Sequence, residues 1–168
     1  MNSKMRFCPQ CGSDLIAVQI DGRERLECSN EACDYVFWNN PTPVVAAVVE
    51  VDGKIVLTQS KGWSEKWYGI VAGFLEEGET PEEGVLREIS EELDLQGEIT
   101  AFIGHYKFPE RNQLIIAYHV TAEGEIHMGG ELQRIKLISP EEVHPWKKGT
   151  GPALRDWLAG RIQEKSSL

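Results

Sequence analysis

Three glutamates stand close together in the run Arg87-Glu88-Ile89-Ser90-Glu91-Glu92. Glu88, Glu91 and Glu92 are related by steps of three and four residues, so on an α-helix they share one side. Like charges at that spacing repel, at a cost of about a few tenths of a kcal/mol per pair. A divalent cation between them would remove the repulsion, and a cluster of carboxylate oxygens suits Mg²⁺ or Mn²⁺ rather than zinc or copper. A second group of ligand-type residues lies near the start of the chain. Cys8 and Cys11 flank Pro9-Gln10, with Gly12 freeing the turn that follows, and Cys28 and Cys33 form another close pair. Four cysteines in two close pairs suit a tetrahedral four-thiolate structural zinc site. The alternative, two disulfides, lacks the secretory leader that would accompany it.

The elements that must hold these groups can be read around them. Thr80 is the expected helix N-cap, Pro81 the first helical residue, and Glu83 completes a capping box. Val85, Ile89 and Leu93 recur every four residues, so the helix docks an apolar stripe on a core while its carboxylates face a cleft. Ahead of it, Gly73 to Glu79 reads as a loop bracketed by glycines, where backbone can approach a ligand or ion. Leu15 to Ile20 and Arg25 to Glu27, joined at Asp21-Gly22, read as a β-hairpin between the cysteine pairs. So small a unit buries little core, and zinc would supply much of its folding free energy.

The stretch from Gly73 to Leu95 resembles the Nudix box: Gly73, Glu79, Arg87, Glu88, Ile89, Glu91, Glu92 and Leu95 meet its pattern. Asp94 stands where that pattern has glycine, at a place after the helix where a left-handed conformation is expected. Asp tolerates this better than most residues. The resemblance implies metal-dependent hydrolysis of a nucleoside diphosphate linked to another group. It makes Glu88 and Glu92 the principal metal ligands and Glu91 a ligand or base, with the Ala72 backbone carbonyl completing the coordination. Arg87 would orient Glu79 or Glu91 by ion pairing. Glu131, after Gly129-Gly130, is the candidate for a further ligand or base outside the box. A four-cysteine zinc ribbon before a Nudix domain is similar to NADH pyrophosphatases and related enzymes acting on FAD or ADP-ribose. The segment Gly104-His105-Tyr106-Lys107-Phe108-Pro109 only partly resembles the NADH-specific array. From it, Tyr106 and Phe108 are candidates to stack on a base and Lys107 to meet a phosphate.

The remaining order of elements is strands from Val44 to Val51 and Lys54 to Gln59, with Asp52-Gly53 as the turn, then Tyr68 to Ala72. Beyond the helix come strands at Ile99 to Phe108, Leu114 to Thr121, Gly124 to Ile126 and Leu132 to Ile138. A short helix opens at Ser139-Pro140-Glu141-Glu142, and a last one runs from Pro152 to about Gln163 with Leu154, Trp157, Leu158 and Ile162 on one side. Trp63 and Trp67 either cover a core edge or line a base-binding slot. The fold class is α+β: a Nudix α/β/α sandwich with a mixed sheet over 39–168, preceded by a zinc ribbon over 1–38. The net charge of −10 over 168 residues disfavours nonspecific nucleic-acid binding, and no apolar run approaches a bilayer span. A cytoplasmic enzyme acting on a small nucleoside diphosphate derivative is expected. Similar proteins form homodimers, and this one could do so. The competing reading is a Nudix-fold binding or regulatory module with little catalysis.

Overall fold

The computed structural model describes residues 5–166. Residues 1–4 and 167–168, and the side chains of 162–166 with the expected apolar Ile162 among them, lie outside the described residues. The chain divides into two compact units, Met1–Asn40 and Pro41–Leu168.

In the first unit, β1 (Leu15–Ile20) and β2 (Arg23–Cys28) form an antiparallel hairpin, and β3 (Val36–Phe37) adds to β2. The turn is Asp21-Gly22, both residues at positive φ, as the tight turn matching strand twist requires. Among the described residues of this unit only Cys8 and Cys28 are buried, so the cysteines themselves are its core.

The second unit contains β4 (Thr42–Val51), β5 (Lys54–Ser60), β6 (Val71–Phe74), α1 (Pro81–Leu93), β7 (Gln96–Phe108), β8 (Gln113–Glu123), β9 (Leu132–Ile138) and α2 (Gly151–Ser166). The sheet runs β7-β8-β4-β5-β9, with β6 also on β4. β4 and β8 are parallel and the other pairs antiparallel, so the sheet is mixed. β4 is apolar almost throughout because both its faces are covered. Its Val45, Ala47, Val49 and Val51 pack with Val85, Ile89 and Leu93 of α1. Its Val44, Ala46 and Val48 pack with Ala153, Leu154 and Trp157 of α2. One helix therefore covers each face, which gives the expected α/β/α layering. Each fully buried aliphatic of the α1 stripe contributes about 1.5–3 kcal/mol.

One edge of β4 is shared, with β6 alongside Val44 to Ala47 and β5 alongside Glu50 and Val51. β5 and β6 then meet at a single bridge, Thr58 with Gly69. This split in the sheet lies beside α1.

Four expectations are corrected. Gly73 and Phe74 are not loop: they end β6, paired with Val45 and Val44. β6 itself begins at Val71 rather than Tyr68. Gly124 to Ile126 is not a strand, since the chain leaves the sheet after Glu123 and crosses the C-terminal end of α1. There the N–H groups of His127 and Gly129 donate to the carbonyls of Leu93 and Glu92 at 3.0 and 2.8 Å. These carbonyls have no partner within the helix, and capping them outweighs extending the ladder. Ser139 to Glu142 is one turn, closed by Glu142 N–H on Ser139 O at 3.0 Å, because Pro145 leaves no room to propagate a costly helical nucleus. Among the described residues no helix is long and apolar enough to cross a membrane.

Candidate active site

The capping box forms in full. Glu83 N–H donates to Thr80 Oγ1, and Thr80 N–H donates to Glu83 Oε2 at 2.8 Å. At the other end Asp94 is left-handed, with φ 56° and ψ 35°, and its N–H caps Ser90 O at 2.9 Å. The helix that carries the glutamates is thus fixed at both ends by residues next to it in sequence.

Arg87 organises the face between those ends. Its Nε and one terminal nitrogen grip both oxygens of Glu79 at 2.7 and 3.2 Å. The second terminal nitrogen donates to Glu88 Oε1 at 2.8 Å and to Glu91 Oε2 at 3.0 Å. The first also reaches the Phe74 carbonyl at 3.0 Å. A guanidinium has five N–H donors, and these five contacts use them all. Part of the glutamate repulsion is therefore relieved by Arg87 rather than by an ion alone. Of the two partners expected for it, Glu79 takes the bidentate grip and Glu91 a single bond. The surrounding carboxylates, Glu79 first, hold the Arg87 pKa well above its ordinary value, and Arg87 in turn lowers that of Glu79.

Glu92 points inward, away from that arginine network. Burial first, then the charges of Glu88 and Glu131, push its pKa up to about 8, against the opposing pull of the nearby Thr58 hydroxyl and Ala72 backbone. Its Oε2 is buried without a hydrogen-bond partner, a costly state for a carboxylate oxygen. Glu88 is raised too, mainly by burial, against the pull of Arg87. Glu131 is exposed and close enough for its charge to act on both. Residues of an antiparallel pair alternate in the edge their N–H and C=O face. Leu75 N–H reaches Pro43 O on β4, so three residues earlier Ala72 turns its N–H and carbonyl away from β4.

Two glycines are required here by close approach. A Cβ on Gly73 would lie 2.0 Å from the Glu88 carboxyl carbon. A Cβ on Gly129 would lie 2.1 Å from the Glu91 backbone oxygen, so Gly129 lets the segment carrying Glu131 press onto the helix end. Because the first obstacle is only the tip of a flexible side chain, Gly73→Ala should fold normally. It should displace Glu88 and lower turnover at least about tenfold, as loss of a positioned ligand does. Activity within twofold of wild type, with an unchanged melting temperature, would refute this.

Tyr106, Lys107 and Phe108 are not brought to this cluster. Tyr106 and Phe108 pack on the α2 face of the sheet, opposite α1. The Tyr106 hydroxyl donates to Asp156 Oδ2 at 2.9 Å, and burial, reinforced by Asp156, pushes the phenol up to about 12. Strand alternation turns both rings, partly buried, against the second core and away from the carboxylates. Tyr106 and Lys107 both line an open hollow of about 540 Å³, with His105, Leu114 and Pro152. Thr58 was missed by sequence reasoning. Its signal was a polar pair, Thr58-Gln59, inside a strand that is otherwise apolar, and both are buried.

In the first unit all four cysteines are free. Cys8 Sγ lies 3.7 Å from Cys33 Sγ and Cys11 Sγ 3.4 Å from Cys28 Sγ, far beyond a disulfide bond of about 2.05 Å. All four sulfurs fall within 4.8 Å of one another, close to the edges of a tetrahedron with metal–sulfur bonds of about 2.3 Å. Hydrogen bonds from the Ser13 side chain and backbone hold the Cys11 thiol down at about 6. The four cysteines are therefore arranged to bind a metal ion.

Comparison with known proteins adds to this geometry. The NUDIX domain model matches residues 40–159. The chain is similar to the NAD-capped RNA hydrolase NudC of Pseudomonas putida, 27% identical over 146 residues, covering 86% of this chain and 51% of that protein. It is 31% identical over 123 residues to the NudC of Vibrio atlanticus, covering 70% of this chain and 42% of that one. It thus spans about half the length of the curated relatives it matches. Among solved structures, a NUDIX hydrolase from Nitrosomonas europaea superposes with a TM-score of 0.79 at 24% identity, over 95% of this chain and 93% of the other.

Proposed function

The chain belongs to the NUDIX family, and from that premise we propose that it hydrolyses the diphosphate bond of a nucleoside diphosphate linked to a second group. The preferred class is a free dinucleotide such as NADH, FAD or ADP-ribose, giving two mononucleotides. The observation that carries this reading is Glu92: a half-buried carboxylate with an unpartnered oxygen, raised by burial and by two neighbouring carboxylates. Such a group is stable as an anion only when a cation meets it.

The donor set fits a hard divalent ion, Mg²⁺ or Mn²⁺, held by Glu88, Glu92, Glu91 and the Ala72 carbonyl. When bound, such an ion polarises phosphoryl oxygens and offsets charge on the leaving phosphate. The protein residues do the rest. Arg87 positions Glu88 and Glu91 and ties the Phe74 to Glu79 segment to the helix. Glu131, exposed and near enough for its charge to act on Glu88 and Glu92, takes the proton from the water that attacks phosphorus. The new phosphorus–oxygen bond forms as the bridging oxygen leaves with the other phosphate. In the first unit, the four thiolates suit zinc in a structural role. Reduced thiols and nucleotide substrates together favour the cytoplasm as its compartment. The NudC relatives are named for NAD-capped RNA, but a net charge of −10 favours the free dinucleotide over a polyanion.

The test is a hydrolysis panel with Mg²⁺ or Mn²⁺, comparing NADH, NAD⁺, FAD, ADP-ribose, CoA and an NAD-capped RNA by kcat/KM with products identified. One dinucleotide should be cleaved to two mononucleotides at least about tenfold faster than the others. No turnover of any, with Glu92→Gln indistinguishable from wild type, would replace this reading with that of a binding module.

A further inference from the structure

The connection between β5 and β6, residues 61–70, carries Trp63 and Trp67. Their exposures of 45% and 67% exclude the expectation that both cover a core edge. Exposed tryptophans on a mobile loop would be unremarkable, but this loop is held from inside. Gln59 is 0% exposed. Its Nε2 donates to the carbonyls of Ser64 at 3.0 Å and Trp67 at 2.9 Å. Its Oε1 accepts from Gln133 Nε2 at 2.9 Å, and the same nitrogen reaches the Trp63 carbonyl at 3.4 Å. A buried amide committed to the carbonyls of a surface loop fixes that loop's conformation.

Both ends of the loop border the carboxylate cluster. At one end Lys61 N–H donates to Glu131 O at 2.9 Å, and Lys61 Nζ to Gly130 O. At the other, Gly69 exchanges backbone hydrogen bonds of 2.9 and 2.8 Å with Thr58, whose hydroxyl is near enough to act on the Glu92 charge. Trp67 is two residues from Gly69, a span of about 7 Å of extended chain, comparable to the ribose that separates a diphosphate from its base. Trp63 rests on its own loop, its ring 3.3 Å from the Cβ position of Gly69. Trp67 is left as the larger open aromatic face. A rigid aromatic on a loop whose two ends border a charged site stacks a planar ring with little ordering cost.

We propose that Trp67 is the stacking platform for the planar ring of the substrate, base or ring cofactor, whose diphosphate lies on the Glu88–Glu92 cluster; this rests on the function proposed above. It makes Trp67 a specificity-determining contact and Gln59 the residue that positions it.

Trp67→Ala should raise KM for the best dinucleotide roughly tenfold, the scale of losing one ring stack, with kcat within about twofold. Trp67→Phe should restore most of the loss. P1,P2-dimethyl diphosphate, which has no ring, should be cleaved equally by all three proteins. Independently of turnover, titration with AMP and NAD⁺ should quench tryptophan fluorescence in wild type and lose most of that quench in Trp67→Phe but not in Trp63→Phe. If wild type hydrolyses dinucleotides while Trp67→Ala leaves KM and ligand affinity unchanged, the platform is refuted and the hydrolase stands. A Trp67-dependent quench without turnover of any diphosphate supports the platform and removes the hydrolase. Absence of both binding and turnover removes both.

Discussion

Glu92→Gln should lower kcat at least about a hundredfold, on the scale expected for losing a carboxylate from a charged hydrolytic site, while the fold is retained. The substitution keeps the shape of the side chain and removes its charge. Burial and the neighbouring Glu88 and Glu131 already work against that charge, so its loss does not weaken the fold. The pH dependence follows with a definite sign. The Glu92 pKa rises from an ordinary 4.5 to about 8 on folding, so the native chain binds the proton more tightly than the unfolded one. Without divalent cation, this contribution to stability is fully present below about pH 4.5 and is lost as pH rises through about 8. Its size is on the order of a few kcal/mol. Glu92→Gln cannot titrate, so its melting temperature should fall less between pH 5 and 8 than that of wild type in Mg²⁺-free buffer. Adding Mg²⁺ should raise the wild-type melting temperature at pH 8 more than that of the variant. A near-normal rate for Glu92→Gln, or identical melting profiles, would remove Glu92 from the site.

Stripping metal from the four cysteines should unfold the first unit while the second keeps its structure. Among its described residues only Cys8 and Cys28 are buried, and its three strands are short, the last of two residues. A sheet of that size has no apolar core to offset the entropy of ordering it. Zinc bound by four thiolates contributes about 10–16 kcal/mol in small folded units of this kind. With the full chain, a strong chelator or Cys28→Ser should collapse the amide dispersion of residues 5–40 to random-coil shifts and leave the resonances of 41–166 in place. Retention of dispersed signals from 15–28 in the metal-free chain would show that the hairpin stands without metal.

Much of this was legible in sequence because it is local. The Thr80–Glu83 cap, the Val85-Ile89-Leu93 stripe and the left-handed Asp94 each concern residues within a turn or two of one another. So do the Asp21-Gly22 and Asp52-Gly53 turns, whose residues all take positive φ. Glu88, Glu91 and Glu92 could be assigned one helical side from spacing alone, and the four cysteines one cluster from two close pairs. The same local rules misjudged Gly124 to Ile126 and Ser139 to Glu142, where the first segment was claimed by the open end of α1 and the second was too short to become a helix.

The sequence by itself thus determined the layered α+β class, the helix with its carboxylates and the thiol cluster, because spacing and capping act between near neighbours. Tertiary structure alone decided which carboxylate is buried and short of a partner, since that depends on strands and a loop brought to the helix from elsewhere in the chain. It gave Gly73 and Gly129 their reasons, through the Glu88 carboxylate and the Glu91 carbonyl that press on them. It set Tyr106 and Phe108 against the α2-side core and left Trp67 exposed on a loop held by the buried Gln59, because strand pairing sets the face each ring takes and that amide fixes the loop.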